Sequence, residues 1–123
     1  MAVVARSKVT LRISGDDLNP DDISRRLGTN PTTARTKGRR GSWHLEAPER
    51  QPEDINGQVT GLLAQLTPDL SVWASVTAVW KVDIFCGLFM DTMNDGSSLS
   101  PEVMFALASR EIEIGFDIYD NTP

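Results

Sequence analysis

The stretch Val79–Met90 constrains the fold more than any other, because both of its alternating faces are largely apolar. Val82, Ile84, Cys86 and Leu88 share one face, while Lys81, Asp83, Phe85, Gly87 and Phe89 share the other. A two-residue period of this kind is a strand, and apolar residues on both sides predict a central strand covered at least partly on each face. Two other segments alternate more simply. Val9, Leu11 and Ile13 interleave with Lys8, Thr10, Arg12 and Ser14, and Gly15 is expected to end that strand. Ile112, Ile114, Phe116 and Ile118 interleave with Glu111, Glu113, Asp117 and Tyr119, which predicts a half-buried strand. Ser42–Glu46 reads as a brief strand with Trp43 and Leu45 on one face and His44 on the other; Thr33–Thr36 reads as a short edge strand.

Between these strands the period changes to that of helices. Asn19-Pro20 reads as an N-cap and first helical residue, Asp21 and Asp22 suit the positive end of the helix dipole, and Gly28 suits the C-terminal cap. Ile55, Val59, Leu62, Leu63 and Leu66 form one apolar stripe, with Glu53 and Asp54 expected in the first turn. Gly57 and Gly61 in that helix are expected to allow close packing against Trp73 or Trp80. Thr67-Pro68 and Ser100-Pro101 each look like a cap followed by proline, opening helices that carry Leu70, Trp73, Ala74 and Val76 in one case and Val103, Ala106 and Leu107 in the other. Asp91–Ser98 is expected to be a loop around the turn sequence Asn94-Asp95-Gly96.

This order predicts an α+β fold. It is a two-layer sandwich with a mostly antiparallel sheet of four or five strands and helices packed on one face, residues 1–123 forming a single domain. The first six elements, with the helix pair counted as one, follow a ferredoxin-like split βαβ unit, to which an α–β pair is added. The composition, 40% hydrophobic and 24% charged, suits a globular chain and not a disordered one. No apolar run approaches the roughly 20 residues needed to span a bilayer, and the apolar start at Met1–Ala5 is broken by Arg6 and Lys8, so neither a membrane segment nor a leader is expected. Cys86 is the only cysteine, which points to a reducing cytoplasm.

Charge is unevenly distributed. Residues 1–50 carry ten basic and six acidic side chains, whereas residues 51–123 carry two and eleven. Between residues 23 and 45 there is no acid at all, while Arg25, Arg26, Arg35, Lys37, Arg39 and Arg40 are basic.

Four pieces taken in order resemble the bacterial domain of unknown function 4279 family. They are Leu11–Pro20, the run from Lys37-Gly38 to Gly41-Ser42-Trp43, Val82–Phe89, and Leu99-Ser100-Pro101-Glu102 running on to Phe116–Tyr119. The resemblance covers nearly the whole chain and implies a stand-alone or fused cytoplasmic domain. It carries over no catalytic residue.

Chemistry-bearing residues are few. His44 has no second histidine or cysteine pair near it, and no HExxH spacing exists, so a catalytic or metal-ligating role lacks partners. Cys86, between apolar neighbours, reads as a small inert hydrophobe. Asp16 and Asp17 are expected to turn the chain, and Asp83 to form an ion pair with Arg12, Lys81 or an arginine of the basic loop. No P-loop, nucleophile elbow or dinucleotide fingerprint occurs, and no cofactor or metal is implied.

Three functions are weighed on this basis. The favoured one is a protein-binding module, such as an immunity or inhibitor-type partner of a toxin or nuclease, acting through Asp91, Asp95, Glu111, Glu113, Asp117 and Asp120. The second is a small-ligand or metal-dependent enzyme built on Asp16, Asp17 and Asp83 with an arginine of the basic loop. The third, least favoured because the chain as a whole is acidic, is nucleic-acid binding through Arg35, Lys37, Arg39 and Arg40, with Trp43 just beyond them. A second copy of the chain is a further partner to weigh, on the second face of the Val79–Met90 strand.

Overall fold

The computed structural model describes residues 2–120. Its main sheet has five strands: β2 (Arg6–Asp16), β3 (Thr33–Lys37), β4 (Arg40–Glu46), β5 (Lys81–Met90) and β7 (Glu113–Asp120). They lie in the order β3-β4-β2-β5-β7. β2 is antiparallel to both β4 and β5, β3 is antiparallel to β4, and β7 runs parallel to β5. The first four strands therefore have the order and directions of a ferredoxin-like split βαβ unit, and β7 is added beside β5. A second, two-stranded sheet pairs β1 (Ala2–Val3) with β6 (Asp95–Gly96) in parallel, so the expected 91–98 loop contains a short strand.

Helices α1 (Pro20–Leu27), α2 (Ile55–Ala64), α3 (Leu70–Thr77) and α4 (Pro101–Ser109) connect the strands. Their starts follow the capping chemistry with adjustments. Asn19 accepts hydrogen bonds from the backbone N–H groups of Asp21 and Asp22, and Gly28 closes α1 in the left-handed region at φ 81°. Ser100 accepts from the Val103 N–H to open α4. For α2 the cap is Asp54 itself, and for α3 it is Asp69 in place of Thr67. The Thr67 carbonyl instead accepts the indole N–H of Trp73 at 2.8 Å.

One face of the sheet carries the core. Val9, Leu11 and Ile13 of β2, Trp43 and Leu45 of β4, and Val82, Ile84, Cys86 and Leu88 of β5 are buried against Ile23, Leu27, Val59, Leu62, Trp73, Val76 and Leu107 of the helices. A buried polar cluster adds register between β2 and α2. The Ser7 hydroxyl donates to Gln58 at 2.6 Å, and the Gln58 amide donates to the Ser7 and Pro48 carbonyls. Such fully satisfied polar groups are tolerated in a core.

Several expectations are corrected here. β2 does not stop at Gly15 but pairs on to Asp16, opposite Gly41 and Arg40 of β4, and the Trp80 ring lies over Gly15 where a Cβ would collide. Gly57 leaves room for the Asp54 cap, and Gly61 faces open space, so neither packs against a tryptophan. Leu70 and Ala74 are exposed, leaving Trp73 and Val76 as the buried face of α3. The largest correction concerns β7. Ile112 is buried just before it and Ile114 packs on the core rim, but Phe116 is 48% and Ile118 61% exposed. An eight-residue strand is about 26 Å long, whereas the nine-residue α4 is about 14 Å. The helix runs out before the strand does.

Candidate functional site

The residues expected to carry chemistry are scattered over three places. On the open face of the sheet, Arg12 and Asp83 stand opposite each other in register. The Arg12 Nε and Nη2 donate to the two Asp83 carboxylate oxygens at 2.9 and 2.8 Å. The guanidinium also lies over the Phe85 ring, 4.7 Å from its centroid. Asp83 is thereby 7% exposed although no helix covers it. A bidentate pair of this kind engages one lone pair on each carboxylate oxygen and fixes the two side chains in one geometry. Of the partners weighed for Asp83, Arg12 is the one the register selects.

Asp16 ends β2, four residues from Arg12 and about 13 Å along the strand, and Asp17 follows it. Asp17 adopts a left-handed φ of 59°, and its backbone N–H donates to the Arg39 carbonyl at 2.6 Å. Its carboxylate pairs with the Arg39 guanidinium at 3.1 Å. The Asp16 carbonyl accepts the Trp80 indole N–H. Asp17 turns the chain by its left-handed backbone, with its carboxylate on Arg39, while Asp16 is still paired in β2, and Asp83 is not brought to them. Among the described residues no three His, Cys, Asp or Glu side chains come together as metal ligands.

Trp43 is corrected outright. It is fully buried, and its indole N–H donates to the Ser24 hydroxyl at 3.1 Å, so it is a core residue and not a contact residue. Cys86 is buried in the core, and burial pushes its thiol up to about 12, where no thiolate forms at neutral pH.

His44 stands beside Arg12 on the open face. Burial, and then the positive Arg12, hold its imidazole below the usual 6.5. The unfolded chain therefore takes up the proton first as pH falls, so His44 stabilises the fold fully above about pH 6.5 and progressively less below it. In urea titrations, stability should drop as pH falls through and below the ordinary imidazole range near 6.5, and His44→Gln should flatten that part of the profile. An unchanged slope in the variant would remove this role from His44.

The second place is the end of the sheet at β7. A cleft of about 570 Å³ opens there, lined by Val4, Ile55, Leu88, Met104, Phe116 and Ile118, with Asp95 at its rim. Asp95 is held by the backbone N–H groups of Asp91 and Thr92 and by the Thr92 hydroxyl. Those bonds, the Thr92 side chain first, keep its carboxyl below the usual range and so charged at neutral pH. Reading Phe116 and Ile118 as core hid this surface; the signal that could have found it is the mismatch in length between α4 and the strand after it.

The third place is the opposite edge. Every residue of β3 is exposed, and Arg35 and Lys37 share the open face with Arg40 of β4 and Lys81 of β5. Among the described residues, Arg39 in the turn pairs with Asp17, and Arg40 stands in register opposite Asp16.

The comparisons with known proteins bear on the whole chain. The family model for a domain of unknown function, DUF4279, matches residues 5–121. The chain belongs to the DUF4279 family. No match is found among curated proteins or among solved structures. For this DUF4279 member, no helix among the described residues is long and apolar enough to cross a membrane.

Proposed function

We propose that this DUF4279 member is a protein-binding module, working in the cytoplasm, whose contact surface is the cleft between α4 and β7. The observation that carries this reading is the uncovered apolar group formed by Met104, Phe116 and Ile118 on the core face of the sheet. Contiguous apolar surface of this kind, rimmed by polar groups, marks interaction sites. β7 also has a neighbour on one side only, so its outer edge can accept an added strand.

Charge selects the partner. Residues 91–120 hold seven acidic side chains against Arg110 alone. A segment with apolar residues flanked by lysines or arginines complements that rim, and complementary charge speeds encounter and rejects wrong partners. A second copy would set acid against acid at a symmetric contact, which disfavours a homodimer through this face. A toxin or nuclease with a basic active face is the class of partner this chemistry suits, in the manner of an immunity or inhibitor protein. The single unpaired cysteine supports a reducing compartment.

The test uses a labelled peptide alternating lysine with valine, leucine and phenylalanine, and a second peptide in which every lysine is glutamate. Fluorescence anisotropy should show binding of the first only. Phe116→Asp combined with Ile118→Asp should weaken it at least tenfold without lowering the melting temperature, since exposed positions contribute little to stability. Failure of the basic peptide to bind, equal binding of both peptides, or indifference to the double variant would overturn the proposal.

A further inference from the structure

From the two ends of the strand order we infer that copies of this chain join edge to edge, β3 of one pairing with β7 of the next. The inference rests on the reading of β7 as an edge open to an added strand, and it names a second copy as a chain that supplies one. β3 and β7 each have a neighbour on one side only. Charge distinguishes the two edges. Arg35 and Lys37 of β3 and Glu113 and Asp117 of β7 are exposed, and none of the four is in an ion pair among the described residues. Charges on an edge strand guard it against a like edge, so contacts of β3 with β3 or of β7 with β7 set like charges together. Of the three edge pairings, the mixed one alone sets opposite charges across the seam.

Strand direction and face agree with that pairing. β2 and β3 run one way, and β4, β5 and β7 run the other. A copy that extends the sheet in the same orientation therefore lays its β3 antiparallel to β7, open face beside open face. The charges lie on that face. Arg35 and Lys37 stand opposite Ser42 and Arg40, and Glu113 and Asp117 stand opposite Asp83 and Gly87. With Arg35 of the second copy opposite Asp117, Lys37 falls opposite Gly115 and diagonal to Glu113, a neighbour that long side chains reach. On the core face the small Ala34 and Thr36 then stand beside Ile118 and Phe116, the apolar pair that α4 leaves uncovered. Each added copy is displaced along the strand order and turned by the twist of the sheet. The contact is heterologous, so it repeats without closing and produces open chains.

Sedimentation velocity of the full chain at low ionic strength tests this inference. The weight-average mass should climb with concentration past that of a dimer without a plateau. In about 1 M salt, where the Debye length is about 3 Å, it should return to the monomer. Arg35→Glu with Lys37→Glu should stay monomeric, and so should Glu113→Lys with Asp117→Lys, since each variant then has two edges of one sign. Both variants keep a net negative charge, yet an equimolar mixture should assemble again, because every acidic edge now meets a basic one. Assembly on mixing also shows that both variants are folded. The lysine peptide that probes the α4–β7 cleft should bind the first variant, whose β7 is intact. Peptide binding by a wild-type chain that never assembles sinks the edge pairing alone, whereas loss of peptide binding withdraws the cleft reading too. A wild-type mass that stays monomeric or stops at a dimer, assembly of either variant by itself, or no assembly on mixing would each overturn the inference.

Discussion

Truncating Trp43 to alanine is expected to destabilise the domain by about 3–5 kcal/mol, the usual cost of removing a buried large aromatic side chain. Trp43 is fully buried between β4 and α1, and its neighbours cannot collapse into the space without moving the helix. The change also removes the indole donor to Ser24, whose hydroxyl in turn donates to the Pro20 carbonyl at 3.0 Å in the first turn of α1. Since domains of this size are stable by only about 5–15 kcal/mol, much of the total is at stake. Urea unfolding followed by far-ultraviolet circular dichroism measures the loss. Trp43→Phe, which keeps most of the volume and drops the N–H, should cost much less. A loss below about 1 kcal/mol in the alanine variant would show that the contact between α1 and the sheet does not depend on this ring.

Gly41→Ala is expected to be nearly as damaging although it adds a single methyl group. A Cβ at Gly41 would overlap the carbonyl oxygen of Leu18 and crowd the Leu18 Cβ at 3.2 Å. That backbone cannot swing away freely. Leu18 is buried, Asn19 caps α1, and Asp17 is tied to the Arg39 carbonyl. Overpacking against fixed backbone costs about 3 kcal/mol. The strain falls at the base of the β3–β4 hairpin, so hydrogen exchange should accelerate in β3, in β4 and in the turn before α1 while α4 and β7 stay protected. Unchanged stability would mean that the chain through Leu18 is softer than its hydrogen bonds indicate.

Much of the architecture was legible in the residues because it depends on local periodicity. The alternation in β2 and β5, the stripe of α2, and the caps at Asn19 and Ser100 are properties of neighbours in the chain, and they reappear in the fold. The succession of elements suggested a split βαβ unit, while the order of the strands came from the structure. The site was legible in part. The cations of β3 and β4 stood out as an acid-free run, and the partnership of Arg12 with Asp83 was among those anticipated. Trp43 misled because a tryptophan beside a basic run reads equally well as a stacking residue or a core one; its placement under α1 decides.

By itself the sequence determined which residues alternate, which form stripes, where α1 and α4 begin, and that the chain is positive toward its start and negative toward its end. These follow from backbone geometry and from counting. The tertiary structure alone decided which apolar faces are covered. Phe116 and Ile118 carry the same alternation as Ile13 and Ile84, yet they are exposed because α4 is too short to reach them. It also decided that Arg35 and Lys37 stand at one edge of the sheet and the acidic strand β7 at the other. Coverage and neutralisation depend on distances between elements remote in the chain, and no local period encodes those.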